Sequence, residues 1–459
     1  MQNRSDESIS IYRAKWVLPV SADPVYEGAV AVKGSSIIDV GPAAVIMEAN
    51  PGSKVVNLHH AILLPGFVNC HSHLEYSVFR GLLDKMNFGD WLLNFLDIRS
   101  VLSQEDYLAS ARLGAAECVS SGFTTVADSM YAGASLDAVN AAGLRAIVFQ
   151  EAFGIDDGKL AATMAGLSAR LDELEESQND LVEIGLFPHA TYTVSAAMYR
   201  AVARLARERG KRFATHLAES SEESAYIRSG SGVLALDLRE KVGWEKMTRE
   251  AFGVTPVKYL QQWDVYGPDF IAVHCVNVTD QDVAILAGSG VAIAHCPKSN
   301  AKLGCGIAPL PAFLAAGIRV GFGTDSPASS NMMDMFSEMR TAVFLHRGVR
   351  RDAEALDVSD CVRMATLGGA RVLGLDGRTG SLEPGKQADM IAVDMEHNHF
   401  MPIEDPYSAL VLGGSREDVF FVMVAGRTIY DKKVLLTVDE EKTSAAAKAA
   451  RQKLIPAHS

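Results

Sequence analysis

The stretch Ala61-Ile-Leu-Leu-Pro-Gly-Phe-Val-Asn-Cys-His-Ser-His73 decides the reading of this chain. It is an apolar run, Ile62–Val68, that ends in a His-x-His pair, His71 and His73. In an extended segment residues i and i+2 project to the same side, so both imidazoles can turn toward one ion. His397-Asn398-His399 repeats the pattern away from any comparable run and reads as a surface loop. The first pair differs in its company. Seven further apolar or β-branched runs follow: Thr124–Ala127, Arg145–Phe149, Val182–Phe187, Arg212–Thr215, Ile271–Val273, Val291–Ala294 and Arg319–Gly323. Helical stretches such as Ser195–Arg209 and Thr279–Ala287 lie between them. Eight strand–helix alternations predict an α/β fold, a (β/α)8 barrel of the TIM type over residues 61–369.

The polar residues fall where each run ends. His71 and His73 follow the first, Asp128 the second, Gln150 and Glu151 the third, and His189 the fourth. His216 and Glu219 follow the fifth, His274 the sixth, His295 the seventh and Asp325 the eighth. In such barrels the C-terminal face of the strands is where chemistry is assembled. The flanks carry short strands: Ile11–Leu18, Ala29–Val32, Ser36–Val40 and Lys54–Leu58 before the barrel, then Asp389–Asp394, Val419–Val424 and Arg427–Tyr430 after it. Residues 1–60 and 370–437 are therefore expected to form one small composite β-sandwich from both chain ends. Residues 438–459 read as a helical tail that serves as a surface helix or a packing arm.

The composition of the 459 residues, 48% hydrophobic and 22% charged, is that of a soluble globular protein. A net charge of −13 without a Lys/Arg stripe speaks against a nucleic-acid partner. The six cysteines are scattered with no Cys-x-x-Cys pair, which reads as a reduced, intracellular chain. The start, MQNRSDESIS, has no apolar core of a signal peptide, and no apolar run is long enough to span a membrane. The expected location is cytoplasmic.

Imidazole is the commonest metal ligand and suits zinc or ferrous iron. His216, in Thr215-His-Leu-Ala-Glu219, is the expected third ligand after His71 and His73. Asp325, in Gly321-Phe-Gly-Thr-Asp-Ser326, is the fourth, although Asp there is also a good helix N-cap. Three His and one Asp leave room for a water, whose pKa a catalytic zinc lowers toward ~7. The expected cofactor is one divalent metal, zinc, with ferrous iron as the alternative. Glu219 and His274 are the proton-transfer candidates, and Asp325 can itself take a proton from the water. His189 reads as a substrate contact or as a residue that shapes its loop.

With these residues in hand, the chain resembles the amidohydrolase superfamily. It is most similar to the branch of methylthioadenosine/S-adenosylhomocysteine deaminases, aminodeoxyfutalosine deaminases and triazine hydrolases. The likeness spans nearly the whole chain. It rests on Leu64-Pro-Gly-Phe-Val-Asn-Cys-His-Ser-His73, Arg80-Gly81 with Trp91-Leu92, and His216-Leu-Ala-Glu219. It continues through Ala272-Val-His-Cys275, His295-Cys-Pro-Lys-Ser-Asn-Ala-Lys-Leu-Gly304, Gly323-Thr-Asp-Ser326 and Gly385-Lys-Gln-Ala-Asp389. The resemblance implies metal ligands His71, His73, His216 and Asp325, proton transfer by Glu219 and His274, and a substrate contact at His189. It also implies a homo-oligomer. The implied reaction is hydrolytic deamination of an adenosine-type nucleoside, a carbon–nitrogen bond in a cyclic amidine, with release of ammonia. The alternative is an aminohydrolase or chlorohydrolase of s-triazines. One metal is expected, because binuclear barrels of this kind use a modified lysine at the end of strand four, where this chain has His189. Two positions depart from the methylthioadenosine deaminases. Asp90 precedes Trp91 where they carry a Glu that holds the ribose hydroxyls. Leu74-Glu75-Tyr76 after the His-x-His pair is similar to the aminodeoxyfutalosine deaminases, so Glu75 reaches the pocket or caps a helix. Asp90, Trp91 and Glu75 are thus substrate-binding candidates beside His189.

Overall fold

In the computed structural model, which describes residues 8–245, 247 and 251–458, eight parallel strands stand side by side in chain order. They are Phe67–Ser72, Phe123–Met130, Arg145–Ala152, Val182–Pro188, Phe213–Leu217, Phe270–His274, Ala292–His295 and Arg319–Phe322. A bridge between Ser72 and Asp325 brings the first strand to the end of the last, so the barrel is nearly closed. Its interior is filled by Val68, Phe149, Phe187, Ile271, Val273 and smaller neighbours. The strands read as continuous apolar runs because a parallel sheet is covered on both faces. The helices between them start where short polar side chains can take the first free backbone N–H groups. Ser103 with Asp106 before Gln104–Ser120, and Thr279 with Asp282 before Asp280–Gly288, form reciprocal capping boxes.

The chain ends join as expected, in a composite β unit beside the barrel. Strands Ser36–Pro42, Val25–Lys33 and Ile9–Val17 lead to Ala61–Pro65, which pairs antiparallel with Met390–Asp394. Val419–Val424, Arg427–Asp431 and Val434–Leu435 complete the mixed sheet, and Lys54–Asn57 adds to Ile9–Val17. One sequence reading changes here. The run Ile62–Val68, taken as a single strand, is two. Ala61–Pro65 belongs to the mixed sheet, and the barrel strand begins only at Phe67. The break lies at Gly66, where a Cβ atom would come within 2.0 Å of the Thr124 side chain. Hydrophobicity does not reveal this break, because both strands are buried on every residue.

The C-terminal helix, Glu440–His458, lies along helix Gln104–Ser120. Lys453 pairs with Asp106 at 2.8 Å, and Arg451 donates to the carbonyls of Val78 and Arg80. It acts as a packing arm. Among the described residues no helix is long and apolar enough to cross a membrane.

Candidate active site

The strand ends deliver their polar side chains to one spot. Donor atoms of His71, His73 and Asp325 lie within 4.8 Å of one another, as do those of His71, His216 and His274, and those of Glu219, His274 and Asp325. His71 Nε2 is 3.3 Å from His216 Nε2 and 3.5 Å from Asp325 Oδ1. All six residues are buried. The backbone is bent to place them. Ala218, His274, Cys275 and Asp325 all adopt left-handed φ values of +49° to +74°, unusual for residues with a Cβ atom. Such strain persists only where the surroundings enforce it.

Partners behind the cluster fix each donor. His216 Nδ1 lies 2.9 Å from the His189 carbonyl, so it carries the proton and leaves Nε2 as a lone pair toward the centre. His274 Nδ1 faces Asn300 Oδ1 at 2.9 Å, which orients its other nitrogen, 3.5 Å from Glu219 Oε1. Asp325 accepts from Ser299 and Ser329 and from its neighbour's backbone N–H. Glu223 Oε2 accepts the Glu219 backbone N–H at 2.8 Å, while its Oε1 accepts from Thr191.

Burial sets the charges. It pushes His73 and His216 well below the usual imidazole range, helped by the neighbouring imidazoles, and lowers His274 to about 4. These rings are neutral at physiological pH, the form that binds metal. Burial alone would raise the Asp325 carboxyl, but its hydrogen bond with His71 works against this and it stays well below its usual range, a carboxylate. Glu219 goes the other way: burial and the charges of Asp325, Glu223 and Glu222 raise it well above the ordinary carboxyl range. Neutral imidazole nitrogens converging with one carboxylate fit a divalent cation. His73 Nδ1 is buried without a hydrogen-bond partner among the described residues, with Glu151 Oε1 3.7 Å away.

A cavity of about 290 Å³ opens from this cluster. His189 lines it, stacked on Phe153 and linked to Thr193 at 2.9 Å. Trp91 lines it too, and its buried indole N–H has no partner among the described residues. Asp90 does not: Trp91, Phe95 and Arg99 form the inner stripe of helix Phe88–Arg99, and Asp90 is exposed on the outer side. Glu75 is also outside the cavity. Its carboxylate is buried and accepts the backbone N–H groups of Tyr131, Ala132 and Ala134 at 2.6–2.8 Å, where helix Ser135–Ala142 begins. Of the two readings of Glu75, the geometry is that of a cap. Lining residues given no role by sequence include Tyr76, Phe95, Arg99, Tyr131, Glu151 and Phe153. Glu151 carries the strand-end signal that marks the others, whereas the aromatic residues read as ordinary core. His397 and His399 stand half-exposed beside Asp418 and belong to none of the three donor groups.

Comparisons with known proteins agree with this architecture. Residues 62–429 match the model of the amidohydrolase family. The 5-methylthioadenosine/S-adenosylhomocysteine deaminase of Pelotomaculum thermopropionicum is 34% identical over 94% of this chain and 95% of its own length. A zinc-bound adenosine deaminase structure from Xanthomonas campestris superposes with a TM-score of 0.84 at 29% identity, covering 97% of this chain and 98% of that one. Atrazine chlorohydrolase from Arthrobacter aurescens TC1, in complex with zinc, shares the fold with a TM-score of 0.83 at 22% identity over 96% and 100% of the two chains. With its strand-end histidines converging as described and its sequence matched from strand Ala61–Pro65 to strand Arg427–Asp431, this chain is an enzyme of the amidohydrolase family.

Proposed function

We propose that the protein is a metal-dependent hydrolytic deaminase of an adenosine-type nucleoside of the methylthioadenosine, S-adenosylhomocysteine or aminodeoxyfutalosine class. The observation that carries the reading is Glu219, a buried carboxyl 3.5 Å from His274 and beside Asp325, where burial and neighbouring carboxylates favour its protonated form. His71, His73, His216 and Asp325 would hold the ion, which supplies Lewis-acid activation of a water when bound. Zinc is the proposed metal, supported by the three-imidazole, one-carboxylate donor set.

Glu219 gives its proton to the ring nitrogen next to the amino-bearing carbon, so negative charge does not build up on the heterocycle. His274, neutral and oriented by Asn300, hydrogen-bonds the oxygen that adds to that carbon. Asp325 accepts one proton lost by the water and passes it to the departing amino group, and the remaining hydroxyl proton of the adduct returns to Glu219 as the carbonyl forms. An amine leaves only when protonated, whereas chloride needs no proton, so this pair of proton carriers supports deamination over dechlorination. Trp91, Phe153 and His189 offer flat faces for a purine. The six cysteines are all free and buried, which supports a reducing, cytoplasmic setting. A homo-oligomer is proposed on the resemblance alone.

The test is loss of the adenine chromophore with zinc-loaded protein on methylthioadenosine, S-adenosylhomocysteine, adenosine and aminodeoxyfutalosine, with His73→Ala as control. Metal-dependent turnover of any of them is expected. A silent panel with metal bound would overturn the nucleoside reading and bring amino-triazines forward.

A further inference from the structure

The cavity has a second polar pole, away from the histidines. Arg99 ends the inner stripe of helix Phe88–Arg99 and lines the cavity. A belt of rings fixes its place. From His73 the belt runs to Tyr76, 5.5 Å between centroids, and to Phe95, 4.8 Å further, with the guanidinium 6.0 Å from the Phe95 centroid. It returns over Tyr131, whose centroid is 4.3 Å from the guanidinium, and Phe153 to His189 and His216. Arg99 therefore stands across the belt from the imidazoles.

Its guanidinium makes no hydrogen bond or ion pair with any of the described residues. Glu151 faces the same cavity from beyond ion-pair distance, and Asp97, two residues away, is paired with Lys241 at 2.6 Å. A guanidinium keeps its charge at every physiological pH and offers N–H donors in a fork that matches a carboxylate. Tyr131 covers its flat face, an arrangement that leaves the donor edges free. A half-buried charge without a partner has lost hydration that a bound anion can restore.

We propose that Arg99 is a specificity residue that receives a carboxylate on the substrate, at the end remote from the ring that loses its amino group. The proposal rests on the nucleoside reading above and selects within it. The purine lies at Glu219 and His274, and the 5′ substituent runs along the aromatic belt and ends in an anion at Arg99.

The test uses an isosteric pair, adenosine with a 5′-S-carboxymethyl thioether and the same compound as its neutral amide. Zinc-loaded wild type, Arg99→Met and Arg99→Lys are compared by kcat/KM on both, with KM and kcat separated. Wild type is expected to favour the carboxylate by about 10- to 100-fold, mostly through KM. Arg99→Met is expected to bring the ratio to about one, and Arg99→Lys to keep part of it. Equal kcat/KM for the pair in wild type, or an unchanged ratio in Arg99→Met, would overturn the assignment. If Arg99→Met does not fold, the wild-type ratio and Arg99→Lys still decide. Turnover of both compounds without discrimination removes Arg99 alone, whereas turnover of neither removes the nucleoside reading together with it.

Discussion

Glu219→Gln keeps the volume of the side chain and removes its ionisable proton. We expect kcat to fall by about 10²- to 10⁴-fold with the bound metal unchanged, measured by steady-state kinetics and metal analysis on one preparation. Loss of metal together with activity would assign Glu219 to the ion instead. Glu75→Ala strands three backbone N–H groups at residues 131–134 and should cost about 1–3 kcal/mol in urea unfolding. Because Tyr131 is among them and lines the cavity, KM should rise as well. An unchanged KM would separate the loop from the site. At this scale the sequence is legible where a residue's position settles its direction. His71, His216, His274 and Asp325 sit at strand ends, and a strand end in a barrel can point to little else. Asp90 and Trp91 are neighbours in sequence, yet the roll of their helix sends only Trp91 inward. That roll is set by Phe95 and Arg99 one and two turns later, and motif matching does not weigh them.

At the level of single elements, the cap of helix Gln104–Ser120 offers a sharper test. Ser103→Ala removes the side-chain acceptor of the capping box and should cost about 1 kcal/mol by denaturant unfolding. Asp106 closes the same box and holds Lys453 of the C-terminal helix. Burial pushes its carboxyl up, but Lys453 and Ser103 outweigh this and hold it below the usual range. A depressed folded pKa means that the contribution is complete above the unfolded value of about 3.9 and is lost as pH falls through the lower folded value. Wild type should therefore lose stability below about pH 4 by an increment that Asp106→Asn lacks. Parallel acid profiles for the two proteins would refute this. The strand–helix rhythm was readable because covered parallel strands and capped helices leave different patterns. The division of Ile62–Val68 was not, because it falls at Gly66, where the room left by the Thr124 side chain is a matter of contact between distant segments.

Across the whole molecule, the barrel and the composite sheet are joined by a buried ion pair. Arg145, at the start of the third barrel strand, donates to both oxygens of Asp389 at 2.7 and 3.1 Å, and Asp389 also accepts the Ala425 backbone N–H. Both side chains are at most 1% exposed. Asp389→Ala leaves a guanidinium buried without its counter-charge and should cost about 3–5 kcal/mol, read as a lower urea midpoint. A shift of a few tenths of a kcal/mol would show that water reaches the site. Arg145 and Asp389 are each visible in the sequence, one in a strand and one in a motif, but nothing local says that they meet. The same separation governs how the molecule comes to exist. Strand Ala61–Pro65 is synthesised well before its partner Met390–Asp394, because the whole barrel lies between them in the chain. Until then one edge of the N-terminal sheet is bare, a template for pairing with other chains. The nascent protein has to wait, with an open seam, until the barrel that separates the two strands has been made.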